Sequence, residues 1–477
     1  MRSSAAGLLG AFLVSLALIP FAKWVARRVG AVDVGGGRRV HDGSIPRLGG
    51  IAVVLGFFVP LVALFFTESY VASIFYSQPK RIMGLLGGGL IVATLGALDD
   101  VRGVRPRTKL AVQTLAALLA YTCGYRIEGM LLPFVGTVHL GWLSVPATCF
   151  WFVAIINALN LIDGLDGLAG GVAFFACVGN FVVAVIGDAY MVMLLSATLA
   201  GAIVGFLVFN FNPASIFMGD SGSMFLGFVL AATSLLGALV KNTTVVAIAV
   251  PVMVLGLPIA DTAIAMLRRA LTQRPIMTAD RGHIHHRLLD LGLTHRRAVL
   301  TLYGVCAALT IAAVAASLGR GLETTIALVL FAIVLAGLVR VAGVFDRAMV
   351  AAQRRNRPLN DVTARVRAAL PDAMLALTPE TRGADLHAVL DRFVREAGLR
   401  HAGFADGSEP TAGPDVVRCA CGDEYLDFTV SDARQAGPEL QLALDVYASV
   451  IAAVHERDHH RPISERAPRP DALAVGE

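Results

Sequence analysis

Six aspartates stand among mostly apolar neighbours: Asp99 and Asp100 in LGALDD, Asp163 and Asp166 in NLIDGLDG, Asp220 in FMGDSG and Asp261 in PIADT. A carboxylate at membrane depth costs about 3 kcal/mol on insertion scales, so such a set calls for positive charge to meet it. Oxygen donors suit a hard divalent cation, and magnesium is typically held by one or two carboxylates, with waters and substrate phosphates completing its shell. The residues therefore point to magnesium on a pyrophosphate. Taken singly, each Asp reads equally well as an interface residue reaching water from a helix end; the gathering of the whole set argues for a site.

Asp99 and Asp100 point about 100° apart on a helix and cannot bind one ion symmetrically, so one would position or deprotonate an acceptor while the other fixes a basic neighbour. Lys109, ten residues on, opens the next helix and can return to the same mouth; an anchor at the membrane surface is the equal alternative. Asn157 and Asn160 share a helix face, and the glycines after Asp163 and Asp166 let the backbone turn polar groups towards a ligand. The run Gly219-Asp220-Ser221-Gly222 reads as a helix start, where free amides favour a phosphate or an Asp beside a metal. His283, His285 and His286 lie between Arg281 and Arg287 without the Glu of a zinc-binding HExxH helix, so a cationic segment gripping phosphate is the better reading.

The elements that must position these groups are membrane helices. A chain of 477 residues with 56% hydrophobic and 16% charged residues and a mean hydropathy of +0.69 is excluded from the water-soluble globular class. About eleven apolar stretches approach spanning length, at 5–25, 49–66, 82–98, 108–123, 143–159, 166–187, 190–209, 216–239, 245–266, 297–317 and 323–343. No small-residue cleavage site follows the first before its basic end, so it is kept as a helix. Loops 23–48, 99–109 and 267–297 hold seventeen Lys and Arg against six in the alternate loops and N-terminus. The expected topology has the N-terminus outside, the C-terminus in the cytoplasm and every polar motif at the cytoplasmic face. The net charge of +5 follows from this bias and gives no reason to invoke nucleic acid. A transporter would carry its acids near the midplane with an internal pseudo-repeat, and neither is seen; a membrane scaffold leaves the motifs unexplained.

The predicted organisation is an all-α polytopic membrane domain over 1–345, a small cytoplasmic α/β domain over 346–458 and a disordered tail over 459–477. In the second domain, Asp385 to Ala397 and Leu440 to Glu456 read as helices, and Val416 to Val430 as a strand pair turning near Gly422-Asp423. Cys419 and Cys421 form a CxC pair with no further ligand at metal spacing.

The ordered set RRVHDGSIPRLGG, LGALDD, NALNLIDGLDGLAGG, FNFNPASIFMGDSGS, PIADT and DRGHIHHRLL resembles the polyprenyl-phosphate N-acetylhexosamine-1-phosphate transferases, glycosyltransferase family 4, over residues 5–345. The resemblance implies attack by a polyprenyl phosphate oxygen on the β-phosphorus of a UDP-N-acetylhexosamine, with covalent attack by an Asp as the alternative to direct attack, UMP leaving and Mg2+, or Mn2+ in its place, as the metal. It implies Asp220 and Asn160 at the metal, Asp99 and Asp100 at the acceptor phosphate with one as a candidate base, and Lys109 at the phosphates. Asp166 would lie near the uracil, with Asp163 and Asn157 in the same pocket, while Arg281, His283, His285 and His286 close over the donor. The HIHH form and the eleven spans are similar to the GlcNAc-1-phosphate branch, which makes UDP-GlcNAc the expected donor and UDP-GalNAc or UDP-MurNAc-pentapeptide the alternatives. A homodimer through small-residue helix faces stands beside intramolecular packing as an open reading.

Overall fold

Each of the eleven apolar stretches carries helix. The computed structural model describes residues 2–34, 44–68, 70–132, 136–240, 246–271, 283–318, 321–341, 362, 364–377, 381, 383–405, 416–421, 424–430 and 438–459. The chain divides into two units, Met1–Val344 and Phe345–Glu477.

In the first unit the helices are α1 (Arg2–Val29), α2 (Gly49–Leu64), α3 (Tyr70–Ser77), α4 (Pro79–Arg102), α5 (Pro106–Thr122), α6 (Ser144–Ile162) and α7 (Leu168–Ile186). They continue as α8 (Tyr190–Asn210), α9 (Gly219–Val240), α10 (Val246–Val254), α11 (Gly256–Leu271), α12 (Ile284–Asp290), α13 (His295–Leu318) and α14 (Leu322–Val341). Among the described residues eight of these, α1, α4, α6, α7, α8, α9, α13 and α14, are long and apolar enough to cross a membrane. This is an all-α polytopic membrane unit.

Sequence chemistry sets the ends. Pro79 and Pro106 start α4 and α5, where a missing N–H is harmless, and Gly103, with φ of 71°, ends α4. The stretch at 245–266, expected as one helix, breaks at Leu255 between α10 and α11. Pro258 has no N–H to return to Val254, so the ladder loses a bond there. Two short hairpins were not expected: β1 (Val32–Val34) with β2 (Ser44–Pro46), and β3 (Gly129–Leu132) with β4 (Gly136–His139).

Helix α9 is the centre of the bundle: 89% of its Gly219–Gly237 window is buried, whereas 11% of the Glu323–Val341 window of α14 is. Helix α9 packs on α2, α4, α6, α7, α8 and α10. An all-round buried apolar helix is a core element, and an exposed apolar one faces lipid. The residues leading into α9 are held by backbone bonds. Phe217 N–H donates to Pro46 O at 2.8 Å, Gly49 N–H to Phe217 O at 2.9 Å and Gly50 N–H to Met218 O at 2.8 Å. On the other side Gly96 of α4 approaches the Asp220 carbonyl so closely that a Cβ would collide with it.

The second unit has a helix over 364–376 (α15), α16 (Gly383–Ala397), α17 (Pro438–His459) and an antiparallel sheet of β5 (His401–Ala405), β6 (Val416–Cys421) and β7 (Glu424–Thr429) in the order β5-β7-β6. Phe393, Phe428, Leu440 and Tyr447 centre its core. Val417, Cys419 and Cys421 alternate inward along β6, so the CxC pair is core packing. The expected turn at Gly422-Asp423 and the tail from residue 460 lie outside the described residues.

Candidate active site

The C-termini of α4 and α6 and the N-termini of α5 and α9 meet at one end of the bundle. Lys109 Nζ donates to Asp99 Oδ2 at 2.6 Å and to Asp220 Oδ2 at 2.7 Å, joining three helices through one ammonium. The other Asp220 oxygen accepts from Asn160 Nδ2 at 2.9 Å, and the same Asn160 amide donates to Ser223 Oγ at 3.0 Å. Asp99 Oδ1 accepts the Val104 N–H at 2.6 Å, which fixes the turn that returns the chain from α4 to α5 and brings Lys109 back.

The neighbouring Asp100 has a separate task. Its Oδ1 accepts the Asp220 N–H at 2.8 Å and its Oδ2 the Ser221 N–H at 3.0 Å. A carboxylate from α4 thus caps α9, satisfying two amides that a helix start leaves open and favouring its positive end. The amides expected to be free for phosphate are therefore taken. Gly219 sits at φ of 71° against Arg47 O and Asp100, a conformation and a space that only glycine suits.

Asp163 follows the last turn of α6, and no side chain among the described residues pairs with its carboxyl. Loss of water pushes its pKa up to about 8, with Asp220, Asp100 and Asp166 adding repulsion. Asp166, three residues on, is buried and committed: Oδ2 accepts from Asn212 Nδ2 at 3.0 Å and from the Ala214 N–H at 3.1 Å. Its own N–H donates to His295 Nε2 at 2.9 Å, while Asn210 Oδ1 accepts the Gly167 N–H at 3.0 Å. Asp166 therefore ties the loop after α6 to the turn before α9. Asn157 faces α5, donating to Gln113 Oε1 at 2.7 Å, and does not join Asn160 at Asp220.

The histidine segment is anchored from α11. Buried Asp261 meets His283 Nδ1 at 2.8 Å through Oδ2 and accepts the Ile284 N–H at 2.7 Å through Oδ1. The His285 ring stacks on His283, with centroids 5.8 Å apart and planes 8° from parallel, and lies against Gly164 between Asp163 and Leu165. Burial, then the neighbouring His286, pushes the His285 pKa down to about 4. The expectation of a cationic segment thus needs correction at His285, which is neutral at pH 7 because the fold removes its water. Arg281, Arg38, Arg39, His41 and Asp42 lie outside the described residues.

The structure thus brings together Asp99, Asp100, Lys109, Asn160, Asp163 and Asp220, and places His285 on the adjoining turn. Sequence reasoning missed Asn210, Asn212, His295, Gln113 and Ser223, and left Asp261 without a role. The Asn residues of FNFNP were the available signal for the first two. The donor set fits magnesium. Carboxylates outnumber the ammonium they share and their oxygens are hard, while among the described residues no group of three His, Cys, Asp or Glu side chains is placed to hold a metal ion by itself. An ion sharing its shell with substrate phosphates needs no such group.

The family model for glycosyl transferase family 4 matches residues 82–238, the segment holding every carboxylate of this cluster. The probable undecaprenyl-phosphate N-acetylglucosaminyl 1-phosphate transferase of Bacillus subtilis is 40% identical over 298 residues, covering 61% of this chain and 80% of that protein. The decaprenyl-phosphate N-acetylglucosaminephosphotransferase of Mycobacterium tuberculosis is 34% identical over 364 residues, covering 72% of this chain and 89% of that protein. Its counterpart in Mycolicibacterium smegmatis is 38% identical over 304 residues, covering 59% and 74%. With its motifs in order and its relatives covered over most of their length, the chain belongs to glycosyl transferase family 4, the polyprenyl-phosphate N-acetylhexosamine-1-phosphate transferases.

Proposed function

We propose that this protein of a bacterial membrane transfers N-acetylglucosamine 1-phosphate from UDP-GlcNAc to a polyprenyl phosphate, starting an envelope glycan. A lipid phosphate oxygen forms a bond to the β-phosphorus, the bond from that phosphorus to the bridging oxygen breaks, and UMP leaves with the electron pair. The observation that carries this reading is the Asp99–Lys109–Asp220 bridge with Asn160 at one end of a membrane bundle. A phosphate-transfer site needs carboxylates, a mobile cation and an oxygen donor together where lipid and water meet.

Each residue then has a part. Asp220, set by the Asp100 cap, and Asn160, through its carbonyl oxygen, would hold Mg2+, or Mn2+ in its place. When bound, the metal neutralises the diphosphate and the charge developing on UMP. Lys109 turns from the carboxylates to the phosphates, and Asp99 holds it in reach. A phosphate monoester is already a competent nucleophile, so Asp99 acts by positioning the lipid phosphate or taking its proton. The histidine segment, seated on Gly164, covers the donor. The basic loops put this end in the cytoplasm, with the N-terminus outside and the C-terminus inside, and α2, α5 and the broken pair α10–α11 complete eleven spans.

Purified protein in native-like lipid is expected to move sugar-derived radiolabel from UDP-GlcNAc to undecaprenyl phosphate only with Mg2+ or Mn2+, and Asp220→Ala is expected to abolish the transfer. Parallel assays with UDP-GalNAc and UDP-MurNAc-pentapeptide assign the sugar. A folded wild type that labels lipid from none of the three donors would overturn the proposal in favour of a membrane scaffold.

A further inference from the structure

Asp261 lies on α11, outside the carboxylate cluster, and is 2% exposed with both oxygens engaged. An ionised carboxylate only accepts, so the contact to His283 Nδ1 requires the ring proton on Nδ1. That leaves Nε2, on a residue that is 5% exposed, as the ring nitrogen not engaged by Asp261. The second oxygen holds the Ile284 N–H, the first amide of α12, so one side chain fixes both the ring's tautomer and the start of the helix that carries it. The His283 ring stacks on His285, and His285 rests on Gly164 beside Asp163. A continuous chain of contacts therefore runs from Asp261 to the turn at the edge of the cluster.

We propose that Asp261 is a positioning residue for donor binding, acting through His283: it commits Nδ1 as a donor and seats the histidine segment on the Gly164 turn, so that Nε2 is presented to the UDP-sugar. The inference rests on the transferase reading above. An ion pair inside a buried helix contact is the bland alternative; it also puts a proton on Nδ1 but predicts no effect on donor binding beyond a loss of stability.

Asp261→Asn separates the two. The carboxamide keeps the shape but has a single acceptor oxygen, so it cannot serve both the Ile284 amide and the Nδ1 proton. In the full-length protein this variant is expected to raise KM for the UDP-sugar about tenfold or more, the usual scale for losing a histidine's orienting partner. KM for polyprenyl phosphate is expected to stay unchanged, while the thermal midpoint falls by the scale of one lost buried hydrogen bond. His283→Ala is expected to act alike, with the double variant no worse than His283→Ala alone, and Asp261→Glu is expected to recover part of the loss. An unchanged donor KM in Asp261→Asn, or effects that multiply in the double variant, would overturn the proposal. Nitrogen-15 NMR of the histidines reads the pairing without turnover: the His283 proton is expected on Nδ1 in the wild type, with that preference lost in Asp261→Asn. A wild-type proton on Nε2 would sink the inference whatever the activity. The expected NMR pattern in a wild type that transfers no sugar would sink the transferase reading and the donor role built on it, leaving only the pairing.

Discussion

Asp99 and Asp100 are neighbours in sequence with different occupations in space, because a helix turns adjacent side chains apart. Asp99 holds Lys109, and Asp100 caps α9. Asp100→Ala is therefore expected to lower stability by about 1–2 kcal/mol, the scale of a lost helix cap, as well as activity. Asp99→Ala is expected to lower activity with the smaller shift in thermal midpoint, since Lys109 keeps Asp220. Equal shifts in detergent-solubilised protein would contradict the assignment. His285 supplies a pH signature. Its pKa falls from 6.5 to about 4 on folding, so the unfolded chain binds the proton first and acid favours unfolding. Its contribution is complete above pH 6.5 and is lost as pH falls towards about 4, by an amount on the order of 3 kcal/mol. His285→Gln is expected to flatten the midpoint over that window; an unaltered slope would place the acid sensitivity elsewhere.

At the scale of elements, the site depends on how closely α4 approaches α9. Gly96→Ala puts a methyl into the Asp220 carbonyl, and the displacement of the α9 start is expected to cost about 1–3 kcal/mol and most of the activity. Gly87→Ala, whose methyl would meet only Leu119 Cδ2 at 3.4 Å, is the matched control and is expected to behave as wild type. If both variants transfer sugar normally, the close approach is not what sets Asp220. The helices themselves were legible because apolar length is a local property, and the turn glycines and prolines marked their ends. The Asp100 cap and the Asp166 tie were not legible, because their partners lie 120 and 46 residues away and an aspartate looks alike whether it meets a metal or an amide. The break at Leu255 was missed although Pro258 marked it, since hydropathy runs smoothly across it.

Among the described residues the two large cores run one through the helix bundle and one through the sheet and helices of the second unit. All the clustered carboxylates belong to the first. A chain ended at Val344 is expected to retain transfer within about threefold in the same assay, about 0.7 kcal/mol on the barrier; loss of activity in a folded truncation would give the second unit a part in catalysis. The motifs were legible as a set before any coordinates, because six short runs kept their order, whereas the Asp261 anchor needed the fold to bring α11 to the histidine segment. The central claim is that a phosphosugar, not a bare sugar, moves to the lipid. The most direct test uses UDP-GlcNAc labelled with phosphorus-32 at the β-phosphate, with purified protein, magnesium and undecaprenyl phosphate. The account predicts label in the lipid product and unlabelled UMP released in equal amount. Label left in UDP, with sugar alone on the lipid, would contradict it.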